Sequence, residues 1–131
     1  MTSSLQRLAL IGLGTGVAGW LLENVALGRP RYSVAFGEHK VPFLPAYAAG
    51  GVAIALLAPH LQKENVLVRA AAYGVGLSGV ELVAGGIDRE IMGPNRMTWA
   101  YGPDKSVIDL QHTLLWALLG LAAEQVIERV P

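Results

Sequence analysis

The sequence predicts an all-α fold, a four-helix transmembrane bundle built as two pseudo-repeated helical hairpins. Three observations point there. Val41 to Gln62 runs twenty-two residues without an acidic or basic side chain, about the length of helix that crosses a ~30 Å hydrocarbon core. Hydrophobic residues make up 53% of the 131 positions and charged ones 15%, against about 25% charged in an ordinary soluble domain, and mean hydropathy is +0.43. Sixteen glycines lie mostly inside the apolar stretches, where membrane helices use them for close backbone approach.

Helix 1 is expected from about Leu5 to Gly28, helix 2 from Pro42 to Leu61, helix 3 from Asn65 to Gly86 and helix 4 from Ile108 to Glu128, all in one domain spanning 1–131. Helix 1 leads straight from a short polar N-terminus into an apolar run with no clear cleavage site, so it reads as a retained helix. Helix 2 opens on Pro42 and Pro45, tolerated in a first turn whose N–H groups have no helical partner. Gln62-Lys63-Glu64 makes a tight turn, whereas the first and third connections (Arg29 to Val41, Ile87 to Val107) are long and carry Gly, Pro and charge. Both termini therefore fall at the short-turn end.

The hairpins share a pattern. Glu23-Asn24-Val25-Ala26-Leu27-Gly28 matches Glu81-Leu82-Val83-Ala84-Gly85-Gly86, and Gly16 matches Gly74 seven residues before each glutamate. Seven residues are two helical turns, so each odd-numbered helix carries a glycine and a carboxylate on one face. Helices 1 and 3 run in the same direction, the parallel kind of repeat with its axis along the membrane normal.

Zero formal net charge sets nucleic acid aside as a partner. The absence of cysteine removes disulfides, thiolate catalysis and Cys-ligated metals. Six Lys/Arg in the long loops against four elsewhere lean toward a cytoplasmic position for those loops. Gly12-Leu13-Gly14-Thr15-Gly16 is no dinucleotide fingerprint, because no strand precedes it; with Gly19 it reads as a packing groove.

Glu23 and Glu81 are the leading candidate site residues. A carboxylate in an apolar span costs at least a few kcal/mol unless protonated, paired or facing a wet cavity. Two readings stay open: a shared polar site for a cation, proton or head group, or clasps to Arg29, Arg31 or Arg89 at headgroup depth. Asp109, His112, Trp116, Gly120 and Glu124 follow three- and four-residue steps along helix 4, and the first two enter at the level of Glu81. Such a cluster suits a proton relay or a metal, but no known zinc spacing occurs, so no metal is assigned and the cofactor is left open. Tyr47 would hydrogen-bond a ligand or anchor at the headgroups. Trp99 and Tyr101, beside Gly102-Pro103, would form a lid or an aromatic belt. Glu124 and His60, toward the other end, read as interfacial.

At Gly19-Trp20-Leu21-Leu22-Glu23, Pro45-Ala46-Tyr47-Ala48, Glu81 with Gly85, Trp99-Ala100-Tyr101 and Leu115-Trp116-Ala117-Leu118-Leu119-Gly120 the chain resembles, over nearly its whole length, a family of small four-helix membrane proteins. They are described in bacteria as ABC-transporter permeases and have vertebrate transmembrane relatives. Ala100 stands where the family tends to have an acid, and Ala48 where it tends to have glycine. The resemblance implies a transport association in the bacterial inner (plasma) membrane. With no nucleotide-binding motif here, ATP-driven transport would need a separate ATPase subunit.

The expected function is therefore a membrane protein that binds or transports a small amphiphilic or cationic molecule in a polar pocket at the long-loop end, lined by Glu23, Tyr47, Glu81, Asp109 and His112 and covered by Trp99 and Tyr101. Two alternatives stand beside it. One is an intramembrane enzyme acting on lipid or isoprenoid, with His112 or a glutamate as base. The other is a non-catalytic subunit of a membrane complex or a homo-oligomer, whose glycine-rich faces bind a partner helix.

Overall fold

The computed structural model describes residues 3–22, 32–36, 39–42, 44–92 and 106–131. Four helices carry the architecture: α1 (Ser4–Leu21), α2 (Leu44–Leu61), α3 (Val66–Met92) and α4 (Leu110–Ile127). Between α1 and α2 lies an antiparallel ribbon of β1 (Tyr32–Phe36) and β2 (His39–Pro42), with Tyr32 opposite Pro42, Phe36 opposite His39 and an irregularity between Tyr32 and Val34.

The starts of α1, α3 and α4 have sequence-encoded partners for their free N–H groups. Ser3 and Gln6 form a reciprocal capping box at α1, with Ser3 N–H donating to Gln6 Oε1 at 2.8 Å and Gln6 N–H to Ser3 Oγ at 3.2 Å. Asn65 Oδ1 accepts from the N–H groups of Leu67 and Val68 at 3.0 Å each, which lets the chain reverse through Gln62-Lys63-Glu64 and start α3 at once. Asp109 caps α4, its Oδ1 accepting from His112 N–H at 2.7 Å.

Helix α3 continues six residues beyond the expected end at Gly86. Glycine is a poor helix former in water, but here Gly85 lies under Val107, where a Cβ would stand 2.1 Å from Val107 Cγ1. The first long connection holds the ribbon rather than an irregular loop, and the Gly28 end expected for helix 1 lies outside the described residues. Among the described residues Val66–Glu90 is the helix long and apolar enough to cross a membrane, with mean hydropathy 1.5 and 22% of it buried, and Ala46–Leu61 is a shorter apolar helix.

The helices pair in sequence order, α1 on α2 and α3 on α4, and α2 also touches α3 and α4. Among the described residues α1 has no comparably broad contact with α3 or α4. The core of Ile11, Ile54, Ala55, Tyr73, Leu77 and Ile127 gathers toward the short-turn end. There Arg7 joins the hairpins, donating from Nε to Val130 O at 3.1 Å and from Nη2 to Ile127 O at 3.0 Å. A cation beside the last carbonyls of α4 also suits the negative end of that helix dipole.

Candidate functional site

Between the two hairpins lies a cavity of about 380 Å³, near the lower end of the ~300–1,000 Å³ typical of small-molecule sites. All four helices contribute. Helix α1 supplies Thr15 and Gly19, and its C-cap Leu22; α2 supplies Tyr47, Gly50, Gly51 and Ile54; α3 supplies Leu77, Val80 and Glu81; α4 supplies Trp116, Leu119, Ala123 and Val126. Most of this wall is apolar, and the oxygen-bearing side chains are few: Thr15, Tyr47 and Glu81.

Antiparallel packing orders these groups by depth. Thr15 nests on Gly51 and Tyr47 on Gly19, while Ser78 Oγ meets Thr113 Oγ1 at 2.8 Å. Tyr47, Leu22 and Glu81 thus belong to the long-loop end, Ile54, Leu77 and Trp116 to the middle, and Ala123 and Val126 to the short-turn end. The ring of Tyr47 lies so close to Gly19 that an added Cβ would stand 2.2 Å from its Cδ1. Glycine is required there to seat the tyrosine against the cavity wall. Thr15 Oγ1 donates to Ile11 O at 2.7 Å. The indole N–H of Trp116 is buried without an acceptor among the described residues.

Of the residues expected from the sequence, Tyr47 and Glu81 line this cavity. Asp109 and His112 lie at the same end but outside the lining. They serve each other: Asp109 Oδ1 accepts the backbone N–H of His112 and sits 2.8 Å from its Nδ1. These bonds, led by the backbone N–H, hold the Asp109 carboxyl below the usual aspartate range. Glu23, Trp99 and Tyr101 lie outside the described residues. His60 is exposed.

Glu124 is buried within the protein. It is 2% exposed and sits between α4 and α3, accepting from Arg69 Nη2 on one oxygen and from the Tyr73 hydroxyl on the other. Arg69 Nε adds a bond of 3.3 Å and Gln125 Nε2 another of 3.3 Å. A buried carboxylate needs such complete pairing, because desolvation costs several kcal/mol per ion. Tyr73, itself fully buried, reaches Glu124 because its ring lies over Gly120, where a Cβ would be 2.4 Å from Tyr73 Cβ. The signal in the sequence was the i, i+4 step from Arg69 to Tyr73, which puts a cation and a hydroxyl on one face of α3.

No curated protein and no solved structure matches the chain. A family model does: it covers residues 13–130, a span that contains the helix 1, Tyr47, Glu81 and Trp116 segments on which the resemblance rests. The chain belongs to the family described as "Putative ABC-transporter type IV".

Proposed function

We propose that this chain is a four-helix integral membrane protein of the bacterial inner membrane, and that it binds a small amphiphilic molecule with a cationic head in the cavity between its hairpins, handing it on as part of a transport system. The observation that carries this reading is the cavity itself: an apolar-walled space with a carboxylate and a phenol at one end. Such a lining suits an apolar body better than a free ion, and Glu81 gives a positive head a reason to lie at the long-loop end. Membership of a transporter-related family and the long apolar α3 favour the membrane setting.

The two hairpins are, in this proposal, repeats of one unit, and the cavity lies on the axis that relates them. Thr15 on Gly51 and Tyr73 on Gly120 are the same contact made twice. The step from Thr15 to Tyr73 is 58 residues and from Gly51 to Gly120 is 69. The step of 58 is also the one between Gly16 and Gly74 and between Glu23 and Glu81. Applied to the wall contributed by the first hairpin, these steps take Gly19 to Leu77, Leu22 to Val80, Tyr47 to Trp116, Gly50 to Leu119 and Ile54 to Ala123, which also line the cavity, whereas Thr15, Ala46 and Gly51 map to Tyr73, Leu115 and Gly120, which do not. Glu23 is by the same step the counterpart of Glu81.

The test uses the purified full chain in nanodiscs of zwitterionic lipid, with dodecyltrimethylammonium as probe. Saturable binding is expected, and Glu81→Gln and Glu23→Gln should each weaken it at least tenfold while the helical circular-dichroism spectrum is retained. Wild-type affinity in both variants would overturn the reading.

A further inference from the structure

We propose that the seam between α1 and α4 is a lateral entrance from the bilayer into a slot one alkyl chain wide, and that the slot selects single-chain cationic amphiphiles with tails of about ten to fourteen carbons. This rests on the proposed function above and specifies the occupant of the same cavity.

The seams on the two sides of the cavity differ. Between α2 and α3 the space is filled, with Leu77 against Gly50 and Leu57 against Gly76. The repeat steps carry these contacts to Gly19 with Leu119 and to Ala18 with Val126, across the α1–α4 seam. There Leu119 is 36% and Val126 66% exposed although both line the cavity. The counterpart of a packed seam is thus open, and its walls are apolar where lipid would lie.

The slot has a defined top and bottom. Glu81 and Tyr47 mark the top. Arg7 crosses the seam immediately beyond Val126, with two of its nitrogens bonded to the carbonyls of Ile127, at the end of α4, and Val130 beyond it. A part-buried guanidinium already committed to carbonyls is a poor neighbour for an alkyl tail and stops it there. From Trp116 to Val126 the wall of α4 advances about 15 Å. The pairing of Ser78 with Thr113 sets Glu81 about 9 Å beyond Trp116, and because side chains lean toward their helix N-terminus, Glu81 and Val126 tilt toward each other and leave a slot ~20 Å long. Spread over that length, 380 Å³ makes a narrow slot, which suits a single extended chain. A head at Glu81 and about ten to fourteen methylenes, a tail roughly as long as half of the ~30 Å hydrocarbon core, fill it.

The experiment measures saturable binding of alkyltrimethylammonium salts with eight to sixteen carbons to the full chain in zwitterionic nanodiscs, with dodecyl sulfate in parallel. Simple partition into lipid strengthens about fourfold with each added methylene and shows no maximum. The expected result is a maximum between ten and fourteen carbons, with the sixteen-carbon salt at least fivefold weaker. Ala123→Phe, which fills the lower slot, should move the maximum two or more carbons shorter; Ala123→Leu serves if the phenylalanine variant does not fold. Saturable binding that rises steadily to sixteen carbons, a maximum unmoved by either variant, or tighter binding of dodecyl sulfate than of its cationic counterpart would overturn the slot while leaving a cavity ligand in place. No saturable binding of any salt would overturn both proposals.

Discussion

Substituting Gly120 by alanine adds one methyl group at the tightest point between α3 and α4. The new Cβ would stand 2.4 Å from Tyr73 Cβ and 2.7 Å from Tyr73 Cγ, where carbon atoms need about 3.5–4.0 Å. The obstructing atoms are at the root of the tyrosine, which cannot swing aside as a flexible tip would. Either the helices part by roughly an ångström or Tyr73 leaves its place, and both pull the phenol from Glu124. Overpacking of this kind costs about 1–3 kcal/mol, and a lost hydrogen bond to a charged group about 1.5–3 kcal/mol. Gly120→Ala should therefore destabilise the protein by roughly 3–5 kcal/mol. The assay is unfolding in detergent micelles followed by circular dichroism, with Gly79→Ala as control, since a Cβ at Gly79 meets nothing within 4 Å. If the two variants are equally stable within about 0.5 kcal/mol, the close α3–α4 approach is wrong. A double-mutant cycle of Gly120→Ala with Glu124→Gln adds a second check, because costs routed through the same carboxylate should be strongly non-additive.

Arg69→Met should cost about 3 kcal/mol by stranding Glu124, and Arg69→Met combined with Glu124→Met and Tyr73→Phe should recover most of it, because a well-packed apolar cluster with no stranded hydroxyl replaces a buried ion pair at little net cost; the same unfolding assay reads both. Arg7→Gln should destabilise by about 1–2 kcal/mol and speed amide hydrogen exchange over the last turn of α4, where its carbonyl bonds lie. The Asp109 carboxyl is held below its ordinary value in the folded protein, so its cap is fully effective above about pH 4 and is lost as pH falls through the lower folded value. Asp109→Ala should remove that acid-side dependence in a pH series of melting curves, and Asp109→Asn should keep the cap at every pH because its neutral amide oxygen still accepts.

The helices were legible because their signal is long and local: runs of apolar residues bounded by Ser3, Asn65 and Asp109, each a good N-cap. The end of α3 was not. Gly85-Gly86 and the Asp88-Arg89-Glu90 run look like a helix stop, and what overrides them is tertiary: Val107 packs on Gly85, and Asp88 is buried. The ribbon left a signal that the charge and glycine around it obscured, since Tyr32, Val34 and Phe36 alternate as strand residues do. At the site, Tyr47 and Glu81 could be placed from the direction of the helices and their distance from the short turn. Asp109 and His112 share that end, but their depth could not say that they would bond to each other instead of facing the cavity. Glu124 needed the register between α3 and α4, which no single-helix pattern contains; read alone, it is a charge four residues from a helix end, the ordinary mark of a surface position.

The position of the Arg69–Glu124 pair bears on how such a chain is made. In the proposed repeat Arg69 corresponds to Ile11 and Glu124 to Ala55, both buried in the core of the first hairpin. In the proposed membrane setting, the first hairpin therefore carries apolar side chains where the second carries an ion pair. In the second, an arginine or carboxylate exposed singly to hydrocarbon costs about 2.5–3.5 kcal/mol even by the mildest scales, and each helix carries half of the neutralising partnership. On the proposed membrane reading, synthesis would then favour co-insertion: α3 would wait at the translocation machinery until α4 emerged, and the two would pass into the bilayer as a neutralised unit.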